Sequence, residues 1–187
     1  MTPRLETKRL LLLPLALEDA PVIQRVFPRW EIVRYLNPRV PWPYPPDGAE
    51  TFVRDIALPA VERGEEWLWS LRLKAAPDAL IGIVHLLAPK DSEMDNRGFW
   101  IDPAHRGKGL MTEAADAVTD FWFNQLGFSR FRTSKAVANR GSSRITHKQG
   151  MRLVATTERD YVGGRFATEI WEITREEWNA RRAHIAP

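Results

Sequence analysis

Residues 96–127 read NRGFWIDPAHRGKGLMTEAADAVTDFWFNQLG. This order of residue types predicts a strand, then a Gly-rich basic turn, then a long amphipathic helix. Phe99, Trp100 and Ile101 are a short apolar run of strand-forming residues. Asp102-Pro103 ends the run, because proline has no N–H to give a ladder. In His105-Arg106-Gly107-Lys108-Gly109, two glycines flank a lysine, so the backbone can turn tightly and approach a ligand that a Cβ would hold off. From Leu110 on, apolar residues recur at 111, 114, 115, 118, 121, 122 and 126, a helical period, and Gly127 suits the stop. A helix opening in such a turn presents free N–H groups and the positive end of its dipole. That is an anion site, well suited to phosphate.

Two common phosphate motifs are absent. There is no G-x-G-x-x-G, and Gly107-Lys108 is followed by Gly109 where a Walker loop needs Ser or Thr. On residue types alone the stretch is a basic turn joining a strand to a helix, with or without a ligand.

Working outward, the 187 residues suffice for one domain over 1–187 with a sizeable core. Apolar content of 44% and charged content of 27% are ordinary for a globular chain. Eight tryptophans are many, and most are expected in the core or in a pocket wall. A net charge of only +3, with no stripe of Lys and Arg, argues against nucleic acid as a partner. The absence of cysteine excludes disulfides, thiolate metal sites and a cysteine acyl-enzyme; no metal is expected. No signal pattern opens the chain and no apolar run approaches the roughly 18 residues of a membrane span, so a cytoplasmic protein with no membrane partner is expected.

Residues 5–15 are expected to open with a strand, its run Leu10 to Leu13 apolar on both faces. Asp19 is the expected N-cap of a short helix reaching about Phe27. Residues 28–46 hold six prolines among several aromatics, which predicts a rigid packed loop or one wall of a pocket. A helix is expected from Asp47 to Arg63, bent at Pro59 and stopped by Gly64. Strands follow at 66–74 and 80–88, with the turn at Pro77-Asp78 and a polar turn from Asp91 to Asp95. After Gly127 come a strand at 128–138, a helix at 143–149, a strand at 151–157, a loop at 160–165 and a strand at 166–173. Thr174-Arg175-Glu176-Glu177 is a capping box that starts the last helix.

Three segments together carry a resemblance. They are Leu5-Glu6-Thr7-Lys8-Arg9-Leu10; the run Gly98 to Pro103 with Arg106-Gly107-Lys108-Gly109 and Thr112-Glu113-Ala114; and Asn139-Arg140-Gly141-Ser142-Ser143-Arg144 with Lys148, Gly150 and Met151. In these, nearly the whole chain resembles the GNAT superfamily of N-acetyltransferases, in its RimJ/RimL-like branch. Leu13 replaces a usual Arg, and Ala104 replaces a usual Gln, Arg or Glu.

The resemblance implies an α/β (α+β) GNAT-like fold: a mixed, mostly antiparallel, splayed sheet with helices on both faces. It implies acetyl-CoA as cosubstrate and an amine acceptor, either a protein N-terminus or a small molecule, and leaves room for a homodimer. By the same resemblance, Phe99, Trp100 and Ile101 hold the pantetheine arm and offer N–H donors to the thioester oxygen. Arg106, Gly107, Lys108, Gly109, Leu110, Met111 and Thr112 receive the pyrophosphate, and Asn139 and Ser142 anchor the pantetheine. Ser142 would protonate the departing thiolate. On residue types alone Asn139 and Ser142 are a strand end and a helix cap. Trp30, Tyr35, Trp42 and Tyr44 are the candidate acceptor pocket.

The base stays open. Relatives carry Glu where this chain has Asn96, leaving Asp95, Glu93, His85 and Glu169 as candidates, each with an ordinary reading as a core histidine or ion-pair member. Without cysteine, and without a G-x-S-x-G elbow, direct attack of an amine on the thioester is expected. A catalytically idle acyl-CoA sensor with the same turn is the alternative, and a nucleotide-phosphate enzyme a third.

Overall fold

The computed structural model describes residues 1–91 and 95–185. The apolar run predicted to be covered on two sides is β2 (Leu10–Pro14), with Leu10 and Leu12 fully buried. The polar stretch Thr7-Lys8-Arg9 turns the chain, so β1 (Leu5–Glu6) folds back on β2 and the single strand expected over 5–15 is a hairpin. Antiparallel pairing continues through β3 (Glu66–Leu73), β4 (Ala76–Leu87) and β5 (Arg97–Ile101), in the order β1-β2-β3-β4-β5.

The β3–β4 turn sits at Lys74-Ala75, not at Pro77-Asp78. A register shift past Leu71 makes room for the proline inside β4, and Arg72 satisfies the carbonyls of Pro77 and Asp78 at 3.2 and 3.0 Å. Arg72 also explains why Asp19 does not cap the next helix. The Asp19 carboxylate pairs with the Arg72 guanidinium at 2.5 Å and accepts from the Ala16 N–H.

One face of this sheet is covered by α1 (Ala20–Val26), the single turn α2 (Trp30–Val33) and a helical stretch over 48–62. That stretch begins as α3 (Gly48–Thr51), passes through a π-helical segment at Phe52–Ala57, and ends as α4 (Leu58–Glu62). The irregularity falls just ahead of Pro59, which has no N–H to continue an α ladder. The opposite face is covered by α5 (Leu110–Asn124), whose Met111, Ala114, Ala115, Val118, Phe121 and Trp122 are all buried, as their spacing predicts.

A second antiparallel sheet follows, with β6 (Arg130–Ala136), β7 (Arg152–Tyr161) and β8 (Gly164–Thr174) in the order β6-β8-β7. β7 and β8 pair to their tip with only Val162-Gly163 between them, so the loop expected over 160–165 is a tight hairpin. α6 (Arg140–Lys148) lies between β6 and β7. α7 (Arg175–Ile185) starts at the predicted capping box: the Glu177 N–H donates to the Thr174 hydroxyl, and the Thr174 N–H to the Glu177 carboxylate.

The two sheets are joined at Asn96. Its N–H donates to the Arg132 carbonyl at 2.8 Å, and its side-chain oxygen accepts from the Arg132 N–H at 2.8 Å. Asn96 is 3% exposed and its main-chain carbonyl accepts from the Leu87 N–H, so one residue links β4 to β6. The amide suits this position, because its oxygen accepts from Arg132 while its nitrogen donates to the Leu87 carbonyl at 3.4 Å, a bond a carboxylate cannot give.

Candidate active site

Beyond Asn96 the two strands separate. The Leu87 N–H on the Asn96 carbonyl and the Asp102 N–H on the Ile81 carbonyl mark an alternation in which residues 98, 100 and 102 turn main-chain groups to β4, as Asn96 does with its carbonyl alone. The N–H and C=O of Phe99 and Ile101 therefore lie on the edge facing β6. On β6 the odd residues serve β8, as Val137 does by donating to the Ala167 carbonyl. Ser134 and Ala136 thus turn their main-chain groups toward β5. Both strands run away from the link in step: three residues on, the Lys135 ammonium from β6 sits 5.1 Å from the centroid of the Phe99 ring on β5. The result is a slot in which, among the described residues, the edge groups of Phe99, Ile101 and Ser134 and the Ala136 N–H are unpaired, while the Ala136 carbonyl accepts from the Asn139 N–H at 2.8 Å.

At the far end of β5 is the Gly-rich turn. Gly107 and Gly109 both have φ of +75°. A Cβ on Gly107 would meet nothing within 4 Å, and one on Gly109 only Arg9 at 3.5 Å, so the space above the turn is open. The side chains around it are engaged in bracing. Arg106 donates to the Glu31 carbonyl, and burial lowers the pKa of its guanidinium. Lys108 donates to the Ala104 carbonyl. Arg29 pairs with Asp102, while Arg9 donates to the Lys108 carbonyl and pairs with Glu113 at 2.7 Å. Leu110 and Met111 bury their side chains in the core. The turn thus offers an anion its main-chain N–H groups and the start of a fifteen-residue helix. Where the resemblance implies a coenzyme A pyrophosphate on this turn, replacing Gly109 with Val should weaken coenzyme A binding 10-fold or more, roughly 1.4 kcal/mol or above. Calorimetry checks this, with a thermal melt to confirm that the variant is folded.

Asn139 and Ser142 lie at the mouth of the slot, just past β6. Asn139 caps α6, its side-chain oxygen accepting from the Ser142 N–H at 3.3 Å. Its amide nitrogen is left for another acceptor. Ser142 is 6% exposed, and its hydroxyl makes no hydrogen bond among the described residues.

The face that carries α1 to α4 holds the other candidates. His85 lies over Gly98: a Cβ there would collide with its Nε2 and come within 2.6 Å of its Cδ2. Glycine at 98 is what lets the imidazole rest on β5. Behind it, Glu66 Oε2 is 3.7 Å from His85 Nδ1, close enough for charge attraction and too long for a hydrogen bond. Across the slot on the same face, Ser134 bonds Asp95, and Arg159 reaches both, at 3.0 and 3.4 Å. Glu169 is elsewhere. It stands opposite Lys135 in the β6–β8 register, on the face toward α5 and α6. Glu93 lies outside the described residues.

The four aromatics proposed for the acceptor fall into three places. Trp30 and Trp42 form an exposed pair with centroids 5.6 Å apart. Tyr44 packs on Phe27, which packs on Trp100, and burial pushes the Tyr44 hydroxyl up to about 12. Tyr35 meets Phe166 at 5.4 Å, beside Tyr161. The β7–β8 tip docks on this segment: Val162 donates to the Leu36 carbonyl, and Gly163 to that of Arg34. A Cβ on Gly163 would come within 2.7 Å of the Arg34 oxygen, which makes glycine necessary there.

Glu66, Arg159, Arg97 and Lys135 were not foreseen from the sequence. Lys135, Arg97 and Glu66 left a weak signal, a charged residue inside a stretch read as a strand; Arg159 left none, and long-range register places all four.

A sheet opened into a slot, with a helix N-terminus at one end and titratable groups at the other, is an arrangement able to take an extended anionic ligand. The acetyltransferase (GNAT) domain family matches residues 9–152. The chain is 30% identical over 157 residues to an uncharacterized N-acetyltransferase, YoaA, of Bacillus subtilis (strain 168), covering 80% of this chain and 83% of that one. It is 35% identical over 92 residues to the probable N-acetyltransferase YjcK of the same organism, 48% of this chain and half the length of that relative. Its fold is similar to RimL, a ribosomal L7/L12 alpha-N-protein acetyltransferase solved with coenzyme A, with a TM-score of 0.77, 15% identity and coverage of 92% and 98% of the two chains. The chain belongs to the GNAT acetyltransferase family, and the reaction of its class is acetyl transfer from acetyl-CoA to an amine. Among the described residues no helix is long and apolar enough to cross a membrane.

Proposed function

We propose that the whole chain is one N-acetyltransferase domain whose acceptor amine attacks acetyl-CoA directly, with the coenzyme in the β5–β6 slot and the amine entering from the face of α1 to α4. The observation that carries this reading is the pair of unpaired strand edges leading to a glycine-opened helix N-terminus. The pyrophosphate would rest on main-chain N–H groups from Gly107 to Thr112. The pantetheine amides would bond the free groups of Phe99, Ile101 and Ser134 and the Ala136 N–H, with the Asn139 amide at the outer end; the Ala136 carbonyl already accepts from the Asn139 N–H at 2.8 Å.

The N–H groups of Phe99 and Ile101 face the slot and would receive the oxyanion, whereas Trp100 turns its own to β4. His85 would take the proton from the attacking ammonium, with the Glu66 carboxylate 3.7 Å behind its Nδ1. The C–N bond forms, the C–S bond breaks, and the Ser142 hydroxyl would protonate the thiolate. Asp95 is engaged with Ser134 and Arg159, and Glu169 is on the opposite face, so neither matches His85 as the base. Asn96, in the slot of the usual Glu, holds the sheets together.

An α-amino group, with a pKa near 8, costs about 3 kcal/mol less to deprotonate than a lysine near 10.4. A single imidazole therefore suits a protein N-terminus or another low-pKa amine. Every group named comes from one chain, so the chemistry needs no second copy. A cytoplasmic setting is part of this proposal.

The test is release of free thiol from acetyl-CoA across a panel of N-terminal peptides, amino acids and small amines. Amine-dependent release at least 100-fold above background is expected for one class. Tight acetyl-CoA binding with no amine-dependent release would replace this reading with the sensor.

A further inference from the structure

The head of the slot holds a lysine that the reaction above does not use. Lys135 is 8% exposed and crosses from β6 to the Phe99 ring on β5. Among the described residues it makes no hydrogen bond and no ion pair, an uncommon state for a buried ammonium. The charged groups nearest it offer little. Arg97 from β5 is a second buried cation, with its guanidinium 5.9 Å from the same Phe99 ring and 5.0 Å from Phe131. Arg97 already donates to Thr119 on α5 and has Asp116, through Gln149, as its distant countercharge. Asp95 attracts Lys135 from the far side of the sheet while bonded to Ser134 and Arg159. Glu169 is opposite in register but not within ion-pair distance. Burial first, and Arg97 second, push the Lys135 ammonium down to about 7.

We propose that Lys135 is a self-acylation site: with acetyl-CoA in the slot and no acceptor bound, its amine attacks the thioester and becomes Nε-acetyl-lysine. The inference rests on the acetyl-CoA reading of the slot. Lys135 stands on β6 level with Phe99, beside the N–H groups that would hold the thioester oxygen, and approaches from the face opposite His85. The neutral Nζ attacks the carbonyl carbon, the C–N bond forms and the C–S bond breaks. Coenzyme A leaves as the thiol, taking the proton lost by the new amide nitrogen. No other reactant is needed. The product replaces a costly buried cation with a neutral amide that packs on Phe99, so the modification is favoured by the site that makes it.

The experiment uses the wild-type chain and acetyl-CoA, with no amine added. Peptide mapping by mass spectrometry follows acetylation of each lysine over time, and calorimetry measures acetyl-CoA binding to the same preparation. The expected result is acetylation of Lys135 approaching one per chain, at a rate that saturates with acetyl-CoA. The exposed Lys8, Lys74, Lys90, Lys108 and Lys148 should react about 10-fold or more slowly, without saturation. An unmodified Lys135 in a preparation that binds acetyl-CoA would overturn the inference and leave the acyl-CoA reading intact. A preparation that binds no acetyl-CoA would overturn both.

Discussion

Replacing His85 with glutamine should lower kcat/KM by roughly 10²-fold or more while acetyl-CoA affinity stays within about 2-fold. The size follows from losing a positioned base, typically 10²–10⁴-fold. Affinity is spared because the imidazole lies on the α1–α4 face, away from the Gly107–Thr112 turn. The acidic limb of kcat/KM against pH, which in this reading reports protonation of the imidazole, should disappear in the variant. Glu66→Gln keeps the shape and removes the charge, so its loss should be smaller, about 10-fold. A limb that persists unchanged without His85 would mean that the proton goes elsewhere. Asp95→Asn is then the next variant, since the Asp95 Oδ1 atom is buried without a hydrogen-bond partner among the described residues.

Ser142→Ala should lower kcat by about 10²-fold, the typical loss for one general acid. The Ser142 main-chain N–H bonds Asn139 in the cap, and alanine keeps that bond. Its hydroxyl makes no bond among the described residues, so the fold should be indifferent to its removal. A thiol acyl donor with a more acidic leaving group should recover most of the lost rate, because a thiolate that departs unaided needs no proton. Reduced coenzyme A affinity with kcat unchanged would instead make Ser142 a binding residue.

What the sequence disclosed was local. The Gly107–Gly109 turn, the buried stripe of α5, the Gly127 stop and the Thr174–Glu177 capping box each depend on residues within a few positions of one another, and each stands as read. The errors share a different origin. Asp19 is a sound N-cap by its neighbours, and it is Arg72, 53 positions away, that takes its carboxylate. Pro77-Asp78 is a sound turn by propensity, yet a bulge in β4 absorbs it. Asn96 looked like a base that had been lost. Only the pairing of β4, β5 and β6 shows what the amide does there. His85 and Glu66 were separated on paper by a strand and a turn, and the β3–β4 register brings them together.

The slot also has a consequence for the ligand-free chain. Each sheet completes its own ladder, and between the Asn96–Arg132 link and the Ala136 carbonyl the two face one another along edges that nothing among the described residues pairs. Unpaired edges are the usual template for misassociation between chains, and proteins blunt them with charge, proline or a cover. This one places a buried amide at one end of the seam and a basic turn at the other, leaving the middle to be filled. An extended arm with an amide every few atoms is, in hydrogen-bonding terms, a removable strand. Occupying the slot would zip two half-sheets into one continuous sheet, so the coenzyme would act as a chaperone of the fold as well as its reagent.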